Sequence, residues 1–240
     1  MIEIMNVSKI YGGKIKAVDQ VNLTFEDGEI IGFIGPNGAG KTSLIKMMSG
    51  VIQPDEGTIL LNGKNIVTEA LEAKKQFGMV PDNADFFLRL KGIEYLNFMA
   101  DVYDVSTDIR KERISSLAKE FEMESVLNDK ILSYSHGMRQ KIVIMGVILI
   151  QPKIWILDEP MTGLDPTSAF LLKEKMKDHA KKGNIVFFST HVLEVAEKLC
   201  DRVAIINKGK IEYFGTLENL KEKYENTSLE DIFMKVIQHA

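Results

Sequence analysis

The chain opens with two segments of alternating apolar and polar residues, 2–7 and 18–25, which predict paired strands. Asp27-Gly28 marks a turn, and the apolar run Glu29-Ile30-Ile31-Gly32-Phe33-Ile34 that follows predicts a buried strand. Ser43 to Met48 reads as a helix, Gln53-Pro54-Asp55-Glu56-Gly57 as a polar turn, and Thr58 to Gly63 as a strand closed by a tight turn. A short strand over 77–80 ends at Pro81. From about Leu90 to Met145 the period becomes helical. Ile93, Leu96, Asn97 and Ala100 share one spacing, and Ile109, Arg113, Ile114 and Leu117 share another. Strand signals return at 154–157, 185–188 and 203–206 as continuous apolar runs, the pattern of parallel strands covered on both faces. In the tail, Leu229, Ile232, Phe233, Val236 and Ile237 fall on one face behind a Thr227/Ser228 cap and predict a docked amphipathic helix.

The pattern predicts an α/β fold: a parallel core over about 1–89 and 150–215, an antiparallel β part near the N-terminus, an inserted helical lobe over about 90–149, and helices over 216–240. A single domain over 1–240 accommodates it. Hydrophobic residues make up 45% and charged residues 27% of the 240, a balance that suits a globular chain. The net charge of -4 gives no basic footprint for nucleic acid. One cysteine, Cys200, excludes an internal disulfide and suits a reducing compartment; its helical surroundings predict a buried thiol. No basic, apolar leader opens the chain, and the longest apolar stretch, Ile142 to Ile150, is too short for a bilayer span of ~20 residues.

Candidate chemistry enters at Gly35-Pro36-Asn37-Gly38-Ala39-Gly40-Lys41-Thr42, a G-x-x-x-x-G-K-[ST] match between a predicted strand and a predicted helix. Glycines let successive N–H groups converge on an anion at the positive end of a helix. Lys41 would reach the β- and γ-phosphates, and the Thr42 hydroxyl would ligate Mg²⁺. The apolar strand over 154–157 ends in Asp158-Glu159, which adds a metal-binding carboxylate and a general base for water, in that order.

With these two motifs in that order, the chain resembles the ATP-binding subunit of ABC transporters over nearly its whole length. The resemblance implies an ATP site formed by Gly35, Pro36, Asn37, Gly38, Ala39, Gly40, Lys41, Thr42 and Ser43, with Tyr11 stacking on adenine and Val18 beside the base. Tyr134-Ser135-His136-Gly137-Met138 is similar to a divergent family signature. Ser135 and Gly137 match its usual Leu-Ser-Gly-Gly-Gln form, and Tyr134, His136 and Met138 depart from it. In the family this segment acts in trans on a partner's γ-phosphate. Asp165 falls in the D-loop, and His191 at the switch-histidine position, where it would hold the attacking water with Glu159. Asp82 stands where the family usually has glutamine, a shorter and charged replacement and a further possible Mg²⁺ ligand. Phe86-Phe87-Leu88 is either lobe core or a groove for a permease helix.

The resemblance implies Mg²⁺-dependent ATP hydrolysis by a dimer, homo- or heteromeric, on the cytoplasmic face of the membrane, driving an integral-membrane permease. Its Tyr-Ser-x-Gly-Met-x-Gln-Lys form is similar to ABC-2 ATPases, most of them exporters. Two alternatives stay open beside a different P-loop enzyme such as a kinase, which would lack the Ser135 signature and His191. One is a soluble ATPase acting on nucleic acid or ribosomes, which the absence of a second cassette and a basic face disfavours. The other is a non-hydrolysing regulatory subunit, which Glu159 disfavours.

Overall fold

A computed structural model describes residues 1–224 and 228–238. Its centre is a six-stranded sheet, built from strands whose side chains are buried on both faces. Strands β3 (Ile30–Ile34), β7 (Ile154–Leu157) and β8 (Ile185–Thr190) are buried at every position, which is why their sequences, apart from Ser189-Thr190 at the end of β8, are continuous apolar runs rather than alternating ones. With β6 (Phe77–Val80), β9 (Arg202–Asn207) and β10 (Lys210–Thr216) the order is β10-β9-β3-β8-β7-β6. All neighbours run parallel except β10 on β9.

That register decides where the chemistry goes. Ile34 pairs with Thr190, Leu157 with Phe188 and Val80 with Leu157, so the residues that follow these strands leave the sheet along one edge. Those residues are Gly35, His191, Asp158 and Pro81-Asp82. Ligands of open parallel sheets bind at this carboxyl edge.

A second, antiparallel sheet has the order β2-β1-β4-β5, from β1 (Ile2–Tyr11), β2 (Ile15–Phe25), β4 (Glu56–Leu61) and β5 (Lys64–Asn65). The hairpin pairing continues out to Tyr11 and Ile15, so both strands outrun the predicted 2–7 and 18–25. Its tip is solvent-exposed and shows no alternation to be read, yet its backbone hydrogen bonds persist, closed by Lys14 N–H on the Tyr11 carbonyl at 3.2 Å. The two sheets share a core in which Phe25 stacks on Phe187, their ring centres 5.3 Å apart.

Helices fill the remaining layers: α1 (Lys41–Met48), α2 (Ala70–Lys74), α3 (Gly92–Val102), α4 (Thr107–Glu120), α5 (His136–Ile150), α6 (Pro166–Lys181), α7 (Leu193–Leu199), α8 (Leu217–Lys223) and α9 (Leu229–Gln238). The stretch Ile142 to Ile150 is the buried half of α5, and among the described residues no helix is long and apolar enough to cross a membrane. Ile109, placed by spacing on the apolar face of α4, is exposed; only Ile114, Leu117 and Ala118 of that helix are buried. The Cys200 sulfur faces the core, directly in line with the missing side chain of Gly32 in β3, and burial pushes its thiol pKa up. In the tail, Leu229 and Ile232 are fully buried and Val236 nearly so, and Ser228 Oγ caps α9 by accepting from Asp231 N–H at 3.1 Å. Thr227, the other predicted cap, lies outside the described residues.

Candidate active site

The loop between β3 and α1 is shaped by what it must avoid. Gly40 takes φ 110°, and a Cβ there would lie 2.1 Å from the Ala17 carbonyl oxygen of β2. Only glycine fits both constraints. Gly35 is hemmed in similarly by the Ile206 carbonyl, 2.5 Å from an ideal Cβ. The loop hands over to α1, whose first turn carries no acidic residue, so the positive end of the helix dipole is left open to an anion.

Lys41 is buried, and its Nζ donates to the carbonyls of Gly35 at 2.6 Å and Pro36 at 3.2 Å, folding the side chain back along its own loop. Burial lowers its pKa, and the carboxylates of Glu159 and Asp158 partly offset that shift. Thr42 is exposed and Ser43 half-buried.

The two acids that follow β7 take different environments. Asp158 is 4% exposed, and one oxygen accepts the Ser189 hydroxyl at 2.6 Å. Its pKa is raised, first by burial; Asp82 and Glu159 push in the same direction, while the Ser189 hydrogen bond and Lys41 oppose. Glu159 adopts φ 48°, a left-handed conformation that costs a non-glycine residue about 1–2 kcal/mol. Two bonds hold it there: its N–H donates to Ser189 Oγ at 2.9 Å, and its carbonyl accepts Thr162 N–H at 3.1 Å. The twist turns its carboxylate toward His191, whose Nδ1 lies 2.9 Å from Glu159 Oε2.

Ser189 is the residue that sequence reading passed over. It is wholly buried in β8 and bridges both acids, taking one backbone N–H and giving one hydroxyl proton. The available signal was a lone hydroxyl pair, Ser189-Thr190, ending an otherwise apolar strand next to a histidine.

Two adjoining cavities open along this edge, of about 450 Å³ and 180 Å³. Both are lined by Pro36, Asn37, Asp82 and Glu159. The smaller adds Gly38, Gly40, Lys41, Thr42 and Asp158; the larger adds Ile34, Gly35, Thr162, His191 and Phe233. Lys41, Thr42, Asp158, Glu159, His191 and Asp82 therefore converge, although they come from four different strand ends. Asp82 is exposed and faces Asp158 closely enough to raise its pKa.

Other expected residues lie elsewhere. Tyr11 is exposed at the tip of the β1–β2 hairpin and lines neither cavity. Val18 has no exposed surface. It is part of the core beneath the loop, so its side chain cannot lie beside a base; β2 points it inward, and the backbone of Ala17 is what meets the loop at Gly40 and Gly209.

Ser135, His136, Gly137 and Met138 also line neither cavity. Ser135 caps α5 by accepting Met138 N–H at 3.3 Å, and Met138 is partly buried against the lobe core. The space that Gly137 leaves open is filled within the same chain: a Cβ there would meet the Gly163 carbonyl oxygen at 2.5 Å. Gly163, at φ 78°, in turn underlies the His136 ring. One turn further on, Gln140 Nε2 donates to the Pro160 carbonyl at 3.3 Å, and Lys141 Nζ pairs with Asp165 at 2.8 Å. Asp165 also caps α6, accepting Ser168 N–H at 2.9 Å and the Ser168 hydroxyl at 2.8 Å; the Lys141 bond first, then these two, hold its carboxyl well below the usual range. The start of α5 is thus clamped to the loop that carries Glu159.

Comparison with known proteins agrees with this architecture. The family model described as ABC transporter matches residues 18–162. The ABC transporter ATP-binding protein NatA of Bacillus subtilis (strain 168) is 34% identical over 238 residues, covering 98% of this chain and 97% of that one. Nod factor export ATP-binding protein I of Sinorhizobium fredii (strain NBRC 101917 / NGR234) is 34% identical over 209 residues, 87% of this chain and 61% of its own. Among solved structures, an ATP-binding subunit of an ABC transporter superposes with a TM-score of 0.94 at 30% identity, over 98% of this chain and 99% of its own. A dimeric ATP-binding cassette in a post-hydrolysis state, bound to ADP and Pi, superposes with a TM-score of 0.81 at 25% identity, over 90% and 99%. This chain belongs to the ABC transporter family, among its ATP-binding cassettes.

Proposed function

We propose that the chain is the motor of an exporter: it hydrolyses ATP with Mg²⁺, works as a dimer, and drives an integral-membrane permease from the cytoplasmic face. The observation that carries the hydrolytic reading is the Glu159–His191 pair, 2.9 Å apart, with His191 on the larger cavity and Glu159 on both that cavity and the adjoining one lined by Lys41 and the phosphate loop.

The loop from Gly35 to Ser43 binds the triphosphate through its N–H groups and the α1 dipole, and Lys41 swings from its own loop carbonyls onto the β- and γ-phosphates. Glu159 accepts a proton from the attacking water. His191 holds that water and the γ-phosphate in line. Ser189 keeps Glu159 in its strained backbone conformation, so the carboxylate does not turn away.

The donor set fits Mg²⁺. Among the described residues no group of three or more His, Cys, Asp or Glu side chains is arranged as a metal cage. Mg²⁺ at phosphate sites needs none, taking one or two protein oxygens together with water and phosphate oxygens. Asp158 and Thr42 supply such oxygens on one cavity, with Asp82 opposite. Bound there, the ion neutralises charge on the β- and γ-phosphates.

A dimer supplies what one copy lacks. Ser135 and Gly137 stand at the N-terminus of α5 but outside the cavities, positioned for the nucleotide of a partner. For the permease, Phe87 and Phe98 present exposed rings 5.4 Å apart, and Val102 is exposed one helical turn beyond Phe98. Transport outward is supported by the similarity to a Nod factor export protein and by the Met138 form of the signature.

Hydrolysis is tested with Glu159→Gln. The variant should bind ATP, lose turnover by roughly two orders of magnitude or more, and accumulate as an ATP-bound dimer on size-exclusion chromatography. A variant that hydrolyses like wild type, or stays monomeric at saturating ATP, overturns the base assignment or the dimer respectively.

A further inference from the structure

Helix α9 does more than cover the core. Three of its apolar side chains, Leu229, Ile232 and Val236, are buried in the cluster that contains Ile34, Ala196 and Ile205. Phe233 lies on the same helix but is only partly buried, and its ring lines the larger cavity beside Glu159, Thr162 and His191. The helix also packs on α7, which begins two residues after His191. One side chain from the far end of the chain thus packs against the cluster that contains Ile34, just before the phosphate loop, and shares a cavity with the water-activating pair.

We infer that Phe233 is a positioning residue for hydrolysis, acting through the His191 loop and by walling the flank of the cavity. The inference rests on the hydrolytic reading above. A phenyl ring lining the cavity that Glu159 also lines takes up space that water would otherwise fill, which limits the water that can attack. Its bulk also blocks displacement of the loop between β8 and α7, where His191 and Val192 are exposed and held by Glu159, by the Thr190 hydroxyl and by the first turn of α7. No charge or hydrogen bond is involved, so nucleotide binding by the phosphate loop does not depend on it.

The test uses the whole chain with Mg-ATP, measuring steady-state hydrolysis, nucleotide affinity and melting temperature. Phe233→Ala should lower kcat by roughly ten-fold while KM and the nucleotide Kd stay within about two-fold. Phe233→Leu, which keeps an apolar wall, should recover at least about half of the lost rate. Met234→Ala, an exposed neighbour on the same helix, should behave as wild type. An active wild type with unchanged kcat in Phe233→Ala overturns the inference alone. So does a loss in which kcat, affinity and melting temperature fall together, or one that Leu fails to relieve. No hydrolysis by wild type, with Lys41→Ala indistinguishable from it, overturns the hydrolytic reading and this inference with it.

Discussion

Gly137→Ala separates two jobs that one residue performs. If Gly137 serves only a partner's phosphate, the isolated subunit should not notice an added methyl. Within the chain, however, the new Cβ would sit 2.5 Å from the Gly163 carbonyl oxygen. An ordinary carbon–oxygen contact is about 3.4 Å, so backbone must yield by roughly 0.9 Å. Overpacking of this kind costs about 1–3 kcal/mol. Alanine returns up to about 1 kcal/mol as the better helix former, less at a first turn. The clash wins, with a net cost of about 1–2 kcal/mol. For a chain of this size that lowers the melting temperature by roughly 2–8 °C. The measurement is thermal unfolding without nucleotide, followed by ATP hydrolysis. A melting temperature unchanged to within about 1 °C, with hydrolysis lost, would refute the clamp between α5 and the Glu159 loop and leave only the role toward a partner.

Two further predictions follow from groups at either side of the sheet. His179 is 7% exposed, stacks on Trp155 with ring centres 4.2 Å apart, and has its pKa lowered to about 4, chiefly by burial. Its folded pKa lies below the unfolded value of about 6.5, so only the unfolded chain takes up a proton as pH falls from 6.5 toward 4; stability is full above that window and drops by up to about 3 kcal/mol across it. Urea unfolding at pH 7 and pH 4.5 should show that loss, and His179→Phe should show less of it; an identical loss in the variant refutes the assignment. Asp82→Gln removes a negative charge facing Asp158 and the phosphate cavity. ATP affinity should change by no more than about five-fold, given solvent screening, while the hydrolysis rate changes; if neither moves, Asp82 is incidental to the site.

Most of the candidate site was legible because it is local. The glycine spacing before Lys41, the acids ending the strand at Leu157 and the histidine ending the strand at Thr190 each declare themselves within a few residues. Each rests on a backbone rule: tight turns demand glycine, buried parallel strands are apolar throughout, and their carboxyl ends face ligands. The outer turns of the β1–β2 hairpin were missed because their exposed positions carry no apolar period to read, whereas β10 was missed although Lys210-Ile211-Glu212-Tyr213 alternates, since the alternation covers only four residues.

What the sequence determined by itself is the set of side chains on offer: a glycine-rich loop ending in Lys41-Thr42, two acids at one strand end and a histidine at another, carried on an α/β fold. Only the tertiary structure decided how they are held. Ser189 looks like any strand hydroxyl until β7 and β8 lie side by side, when it locks the strained Glu159. Val18 reads as a neighbour of the base until the pleat of β2 turns it into the core. Gly137 reads only as room for phosphate until the Gly163 carbonyl is found against it, and Phe233 as one more apolar residue until α9 folds back 74 positions from Glu159 to wall its cavity. These are contacts between segments far apart in the chain, and no local period or motif encodes which of them will meet.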